Sequence, residues 1–299
     1  MRGQISFLLA ALVGLAVSPL SFAQNPPVVP AVPVTTPETR TLLQRVIVNV
    51  KRDEAALLVY ERLQRQESRR NATAPPDVKF TRVIPAGTGN DQIPVGPDGV
   101  PADPAAYRAA LEKLEHSLAW AAQDGRAQQD AYDKLAKKQK DRYEMVEATH
   151  GAFVFTFVAR EPRGDRMLTK YRMQPNPAYK PTSRSTALFS KVRGYVWIDE
   201  DAAELARVEA EITDDISFGA FVAKLYKGSF FMQERYPVGA GLWLPSYSQY
   251  DYEGRKFFST FVVHERSFFS HYRRIGAPKE ALATIRAELN AEPSANADP

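Results

Sequence analysis

Between residues 192 and 273 the chain alternates apolar and polar positions with a period of two. In the first part of this stretch Val196 and Ile198 share one side, while Tyr195 and Trp197 share the other. Such alternation is typical of β-strands that bury one face. The stretch therefore predicts an antiparallel sheet whose strands follow one another along the chain. Glycine-containing connections predict tight turns at Gly239-Ala240-Gly241 and Glu253-Gly254.

The remaining sequence mixes helical and strand patterns. Thr36-Pro37 predicts the start of a helix, because threonine caps a helix and proline suits its first turn. Two further helices are predicted between residues 105 and 148, separated near Asp124-Gly125. Phe80–Pro85 predicts a strand, and so do residues 153–158, in which phenylalanine occupies every second position. The glycines and prolines between residues 87 and 104 predict turns.

The N-terminal region indicates a secreted protein. Residues 1–23 combine a positive charge at Arg2, a short apolar stretch and small residues at Ser21 and Ala23, which are the parts of a secretory signal peptide. Cleavage is expected after Ala23. Residues 24–37 are rich in proline and predict an extended leader.

Composition removes several classes of function. The chain has no cysteine, which excludes a disulfide framework and a thiol nucleophile. Its 39 basic and 35 acidic residues give a formal net charge of +4, which is too balanced to indicate nucleic-acid binding. The charge is locally basic in the second of the predicted helices, at residues 127–147, and a basic amphipathic helix can contact an anionic membrane surface. A helix packed on the sheet with a solvated basic side is the alternative.

Five short motifs follow one another along the predicted sheet: Gly194-Tyr195-Val196-Trp197-Ile198-Asp199, Arg207-Val208-Glu209, Lys227-Gly228-Ser229-Phe230, Gly241-Leu242-Trp243-Leu244-Pro245 and Tyr272-Arg273. Their order resembles the outer-membrane lipoprotein-sorting (LolA-like) superfamily, in particular its secreted branch in Gram-negative bacteria. The resemblance extends over roughly residues 38–275 and is specific only over 192–273.

This resemblance implies an α+β fold with a strongly curved, open antiparallel β-sheet. The sheet forms a half-barrel, and helices cover or plug its concave face. It also implies a single domain over residues 38–275, with a helical insertion at about 105–148, and a C-terminal helix and frayed tail over 276–299. Residues 54–70 favour a helix by composition, whereas the resemblance implies a strand around Leu57–Gln66, which we adopt.

Members of the superfamily hold acyl chains in the hollow of the sheet. The resemblance therefore implies a periplasmic, non-enzymatic protein that binds lipid acyl chains or a lipoprotein, carries the cargo between membranes and needs no cofactor. An envelope sensor or scaffold that binds a protein partner through the same fold is the alternative. Aromatic side chains at period two are typical of a core, but in an open sheet they are also candidates for the lining of the hollow: Phe153, Phe155, Phe157, Trp197, Phe230, Trp243, Phe258 and Phe261. The sequence leaves open which face is concave.

Catalytic and metal chemistry receive no support from the sequence. No two of the four histidines have the helical spacing of a metal-binding pair, and no cysteine could complete a site. The Gly-x-Gly at Gly87 lacks the other glycines and the lysine of a phosphate-binding loop. A Gly-x-Ser-x-Gly motif, which would expose a serine nucleophile, does not occur. We therefore predict neither a catalytic nor a metal site.

Overall fold

The structure is a computed structural model that describes residues 35–71, 73–218 and 223–291. The predicted signal peptide, residues 24–34 of the leader and residues 292–299 of the tail lie outside the described residues. Among the described residues, no helix is long and apolar enough to cross a membrane. The described chain forms two compact units. Unit 1 consists of residues 35–50, 141–218, 223–234 and 249–264, and unit 2 of residues 51–71, 73–140, 235–248 and 265–291.

The described residues form five α-helices and twelve β-strands. The helices are α1 (Pro37–Ala56), α2 (Pro104–Ala121), α3 (Arg126–Ala152), α4 (Arg184–Ala187) and α5 (Pro278–Asn290), and a 3-10 turn follows α4 at Leu188–Lys191. The strands are β1 (Tyr60–Arg69), β2 (Asp77–Pro85), β3 (Asn90–Pro94), β4 (Phe153–Arg163), β5 (Arg166–Pro175), β6 (Val192–Asp199), β7 (Glu204–Ile212), β8 (Ile216–Phe218), β9 (Ala223–Leu225), β10 (Phe230–Gly239), β11 (Leu242–Lys256) and β12 (Ser259–Arg274).

All twelve strands belong to one sheet with the order β3-β2-β1-β12-β11-β10-β7-β6-β5-β4, and β8 and β9 branch from β11. Neighbouring strands pair antiparallel, as in β1–β2, β4–β5 and β6–β7. The two ends of the order, β3 and β4, do not pair with each other, so the described sheet is open. The predicted α+β class with an open antiparallel sheet is confirmed, and α2 and α3 are the two helices predicted between residues 105 and 148.

In unit 1, the alternation of β4 through β7 separates an apolar side from a polar side. Phe155 pairs with Met173, which pairs with Gly194, which pairs with Ala210. These residues share one side because directly paired residues of antiparallel strands point the same way. Gly194 is required by a close approach between strands, since a Cβ there would lie 1.8 Å from the backbone oxygen of Glu209. The glycine of the first sequence motif therefore has a structural reason.

In unit 2, α2 and α5 bury a second core against β2 and β3. The cluster is aliphatic, and its members are Ile84, Ile93, Leu111, Leu114, Leu118, Ile275, Ala281 and Ile285. Helix α2 begins after Asp103, whose side chain accepts hydrogen bonds of 3.0 Å from the backbone N–H groups of Ala105 and Ala106. This carboxylate satisfies donors that have no partner within the helix. The cap fixes where α2 starts and hence which of its residues reach the core.

Two predictions about local structure are wrong. The stretch predicted as turns between residues 87 and 104 contains a strand, β3. The predicted turn at Glu253-Gly254 lies inside β11, and the chain reverses instead at Phe257-Phe258. Gly254 is needed for another reason: a Cβ there would lie 2.3 Å from the backbone oxygen of Lys224 on the paired strand β9. Its glycine therefore marks a close approach of strands, and not a reversal.

Residues 54–70 contain both of the structures that the sequence suggested for them, the end of a helix followed by a strand. Helix α1 continues through the helix-forming residues to Ala56, and β1 begins at Tyr60. The backbone N–H groups of Leu58 and Val59 bond to the carbonyls of Ala55 and Ala56 at 3.1 and 3.0 Å, which closes the helix with a tight turn. The strand adopted around Leu57–Gln66 is thus confirmed with a shift of three residues.

Candidate ligand-binding surfaces

The apolar side of β4–β7 in unit 1, here called the helix-side face, is the most extensive candidate surface. Its buried sheet residues are Phe153, Phe155, Tyr171, Met173, Val196 and Ile198. Three side chains of α1 pack against them: Leu43, Val46 and Val50. Two of the eight predicted lining residues, Phe153 and Phe155, therefore lie together beneath one helix.

Polar contacts hold α1 in place at both ends of its packing against the sheet. The hydroxyl oxygen of Thr35, just before the helix, accepts a hydrogen bond of 2.9 Å from the backbone N–H of Phe155. The side-chain amide of Asn49 donates to the carbonyl oxygens of Ala202 and Ala203 at 3.3 and 3.0 Å. Between these ties the contact is apolar, so the helix rests on the aromatic row through hydrophobic packing.

Exposure along β4 rises steeply from its start. Phe153 and Phe155 are 3% and 5% exposed, whereas Phe157, two residues further, is 58% exposed. Phe157 makes an edge-on ring contact with Tyr171, at 6.5 Å between centroids. The hydroxyl of Tyr171 donates to Glu200 at 2.7 Å, and burial together with this hydrogen bond raises the pKa of Tyr171 to about 12. Phe157 therefore forms an open rim beside the covered part of the face.

Trp197 lies on the other side of the same strands, among charged groups. Its indole is between two cations, with Lys170 Nζ 4.6 Å and the Arg207 guanidinium 4.9 Å from the ring. The indole Nε1–H donates to Glu161 at 2.7 Å. These cation–π contacts and the charge-assisted hydrogen bond satisfy the tryptophan within the protein. Phe230 lies on the same polar side. It pairs with Glu211 of β7, and Glu211 points to the same side as Glu209, two residues away on that strand.

The last two candidates in unit 1 belong to the β11–β12 hairpin and have different surroundings. Phe261 packs against a small buried cluster of Ile212, Ile216 and Leu225. Phe258, predicted to lie in a strand, is at the hairpin turn and is 100% exposed. The strand assignment of Phe258 is therefore wrong, because the chain reverses at Phe257-Phe258 and not at Gly254.

Trp243 belongs to unit 2 and is 5% exposed. Its backbone N–H donates to the carboxylate of Asp53 at 3.2 Å. Burial raises the pKa of this aspartate against the lowering effect of Arg52. The indole is thus part of the interior of unit 2 beside a buried carboxylate. The eight predicted lining residues consequently do not form one surface, and Phe153, Phe155 and Phe157 are the group that the structure brings together.

Unit 2 also contains a buried charge network that the sequence analysis missed. The guanidinium of Arg82 donates to Glu61 at 2.8 and 2.9 Å and to Glu288 at 2.7 and 2.9 Å. Tyr107 accepts from Arg82 at 2.6 Å and donates to Glu288 at 2.8 Å. Although burial opposes it, bonding to Arg82 and Tyr107 lowers the pKa of Glu288. The available signal was an arginine inside the apolar strand that ends at Pro85, since a buried charge requires partners.

Two shallow grooves open on unit 2. One, of about 490 Å³, lies beside the α2–α3 connection and the start of α5 and includes Gln128 and Tyr132. The other, of about 480 Å³, lies between the β2–β3 turn and α2 and includes Asp91, His116 and Trp120. Neither groove contains any of the eight predicted lining residues. In the part of the chain that the structure describes, no three acidic or histidine side chains are grouped as metal ligands.

Comparisons with known proteins give two similar solved structures. One is a domain of an outer-membrane lipoprotein-sorting protein from Vibrio parahaemolyticus, with a TM-score of 0.32 and 11% identity over 82% of this chain and 99% of that one. The other is a LolA superfamily protein from Nitrosomonas europaea, with a TM-score of 0.30 and 9% identity over 84% of this chain and 98% of that one. No protein-family profile and no curated protein matches the chain. The fold class given above rests on the strand pairing of the chain itself.

Proposed function

We propose that this protein is a periplasmic, non-enzymatic binder of lipid acyl chains or of a lipoprotein, and that it carries this cargo between membranes. The observation that carries the proposal is the helix-side face of unit 1, an aromatic and aliphatic surface that the apolar stripe of α1 covers, with Val146, Tyr179 and Phe189 also packed against it. An acyl chain would lie along this face and take the place of the α1 side chains. The signal peptide predicted at residues 1–23 supports the periplasmic assignment.

Hydrocarbon suits this surface energetically. Each methylene that moves from water into an apolar site contributes about 0.8 kcal/mol. The rows of Phe153, Phe155 and Met173 offer flat rings and a flexible thioether, which adapt to a chain without a fixed shape. The exposed rim at Phe157 would be the point where the chain enters.

The polar groups of the molecule support binding in preference to catalysis. Arg82, Glu61, Glu288 and Tyr107 form a cluster of ionisable side chains, and they satisfy one another through hydrogen bonds. On the polar side of unit 1, Trp197 donates a hydrogen bond to Glu161, and Lys170 makes a cation–π contact with the Trp197 indole. Groups that are matched internally stabilise the fold and are not held ready for a substrate.

Native mass spectrometry tests the proposal. The mature protein is purified from a bacterial periplasm without detergent, and its mass is measured before and after denaturation and organic extraction. We expect an additional mass in the lipid range that denaturation releases. A clean apoprotein mass would contradict lipid binding, and would favour the alternative of an envelope sensor or scaffold that binds a protein partner.

Site-specific photocrosslinking locates the cargo on one side of the sheet. A photoreactive phenylalanine analogue is placed at Phe157, on the rim of the helix-side face, or at Tyr195, which pairs with Arg172 and Glu209 on the polar side. Irradiation should give a lipid adduct at residue 157 and none at residue 195. Equal labelling at both positions would exclude the helix-side face as the binding surface, even if mass spectrometry detects a lipid.

A further inference from the structure

The β11–β12 hairpin ends in an exposed group of two aromatic and two basic residues. Arg255 and Lys256 end β11, Phe257 and Phe258 form the two-residue turn, and Ser259 begins β12. We call residues 255–258 the hairpin tip. Phe257 is 55% exposed and Phe258 is 100% exposed. Full exposure of a phenylalanine is unusual, because phenylalanine is among the residues most often found buried.

The backbone of the tip is unfavourable for the residue that it contains. Phe257 has a φ of +54°, in the left-handed region. Two-residue hairpin turns that need a positive φ usually contain glycine or asparagine, since a bulky side chain is strained there. Strain of this kind persists where function requires it. Turn formation alone therefore does not account for two consecutive phenylalanines at this position.

The charges beside the phenylalanines are positive and uncompensated. The side chains of Arg255 and Lys256 are exposed, and within the described residues neither takes part in an ion pair. Lys224, on the neighbouring strand β9, is bound to Asp215 at 2.6 Å and adds no free charge. Glu253 is the nearest exposed acid along β11. The tip thus combines an apolar end with an excess of positive charge directly behind it.

We propose that the hairpin tip docks the protein onto an anionic lipid bilayer. The rings of Phe257 and Phe258 would enter the boundary between headgroups and acyl chains, and Arg255 and Lys256 would contact anionic headgroups. Aromatic side chains favour this boundary, and basic residues near the surface add electrostatic attraction. The proposal goes beyond the proposed function, because docking requires no acyl chain inside the protein.

The size of the tip favours a bilayer over a protein as the partner. A phenylalanine buries about 150–250 Å², so two of them provide much less than the roughly 800 Å² per partner of a stable protein interface. A bilayer needs no complementary shape and gains affinity from each inserted ring. The charge of the tip also matches anionic headgroups.

The tip is a better candidate for membrane contact than the basic helix predicted at residues 127–147. Lys134, Lys137 and Lys138 of α3 are exposed, so the helix offers positive charge. However, none of the exposed large apolar side chains among the described residues lies on α3. A helix that binds in the membrane interface needs an apolar face as well as charge. The tip has both features on four consecutive residues.

Vesicle flotation with the full mature protein tests the proposal. Vesicles contain either phosphatidylethanolamine with phosphatidylglycerol, or phosphatidylcholine alone. We expect binding to the anionic vesicles, weakened about tenfold or more in Phe257→Ser/Phe258→Ser, since two inserted rings are lost. Arg255→Gln/Lys256→Gln should remove the preference for anionic vesicles. Val100→Ser, which removes another exposed apolar side chain, 59% exposed, is the matched control and should bind like the unchanged protein.

A second measurement reports insertion directly. In Phe258→Trp, brominated lipids should quench the fluorescence of the new indole. The unchanged protein is the control for the native tryptophans, of which Trp197 and Trp243 are buried and Trp120 on α2 is 39% exposed. Unchanged flotation of the double serine variant, or absence of quenching, would overturn the proposal. If the double serine variant kept its vesicle binding but lost a crosslink to an envelope protein, the tip would be assigned to a protein partner instead. Lipid content by native mass spectrometry should be unaffected by these variants, so the two proposals can fail separately.

Discussion

Two pairs of phenylalanines in unit 1 have opposite surroundings. Phe153 and Phe155 alternate along β4 and lie beneath α1, with 3% and 5% exposure. Phe257 and Phe258 are consecutive, form a turn and are 55% and 100% exposed. The first pair is explained by packing, since its rings contact each other, Phe189 and the apolar stripe of a helix. Among the described residues the second pair makes no aromatic ring contact, and one of its members, Phe257, has a left-handed backbone. The same residue type thus indicates a core in one place and a docking surface in the other.

Alanine substitution of one phenylalanine from each pair should give the largest difference in stability between the two pairs. Phe155→Ala removes a buried ring and leaves a cavity, so the free energy of unfolding should fall by about 3–5 kcal/mol. Phe258→Ala removes a ring that contacts water, and the change should stay within about 0.5 kcal/mol. Urea denaturation followed by circular dichroism measures both values. A loss below about 1 kcal/mol for Phe155→Ala would show that α1 does not cover the aromatic row tightly, and the comparison would fail.

Tyr171 lies at the border between the covered row and the exposed rim, and its titration reports how far the cover extends. Its pKa is raised from an ordinary value of 10.0 to about 12. A raised pKa favours the protonated phenol in the folded state, so the stabilisation is present below the unfolded pKa and is lost as the pH rises from about 10 to about 12. Over this window the unchanged protein should lose roughly 2–3 kcal/mol more stability than Tyr171→Phe.

Unfolding by urea at several alkaline pH values, compared between the two proteins, tests this prediction. Other tyrosines titrate in both proteins and cancel in the difference. The same pH dependence in Tyr171→Phe as in the unchanged protein would mean that the Tyr171 hydroxyl is solvated. In that case α1 would cover the aromatic row only as far as Phe155, and the exposed rim beside Phe157 would be wider than the structure indicates.

The sequence predicted much of the sheet but not the surroundings of its aromatic residues. Period-two alternation identified β4, β6 and β7, because each buries one face and the pattern follows directly from the geometry of a strand. Alternation also predicted that Trp197 and Val196 lie on opposite faces of the sheet, and the structure confirms this. It could not show that Lys170 and Arg207, from two different strands, enclose the Trp197 indole. Such contacts depend on strand order, which no local pattern contains.

Glycine was the main source of error in the hairpin. A glycine near two apolar runs favours a turn, and Gly254 was assigned that role. In the structure it allows β9 to approach β11, and the turn three residues later contains phenylalanine, which sequence rules do not expect there. The buried network around Arg82 was missed for a related reason, because its acidic partners come from β1 and α5. Residues that break a local rule are thus the ones whose role depends on distant neighbours or on function.

Phe257→Asn should change stability less than Phe155→Ala does, and it tests directly whether the backbone of the hairpin tip is strained. Asparagine adopts a left-handed backbone more readily than phenylalanine, and a left-handed residue otherwise costs roughly 1–2 kcal/mol. Little burial is lost because the ring is 55% exposed. We expect a gain of about 0.5–1 kcal/mol in the free energy of unfolding, and none in Phe258→Asn, the control, whose φ is not left-handed. If the hairpin tip docks on membranes, Phe257→Asn should raise stability and weaken vesicle binding together. A variant that is destabilised would show instead that Phe257 is held by packing within unit 1, and its strain would then need no functional explanation.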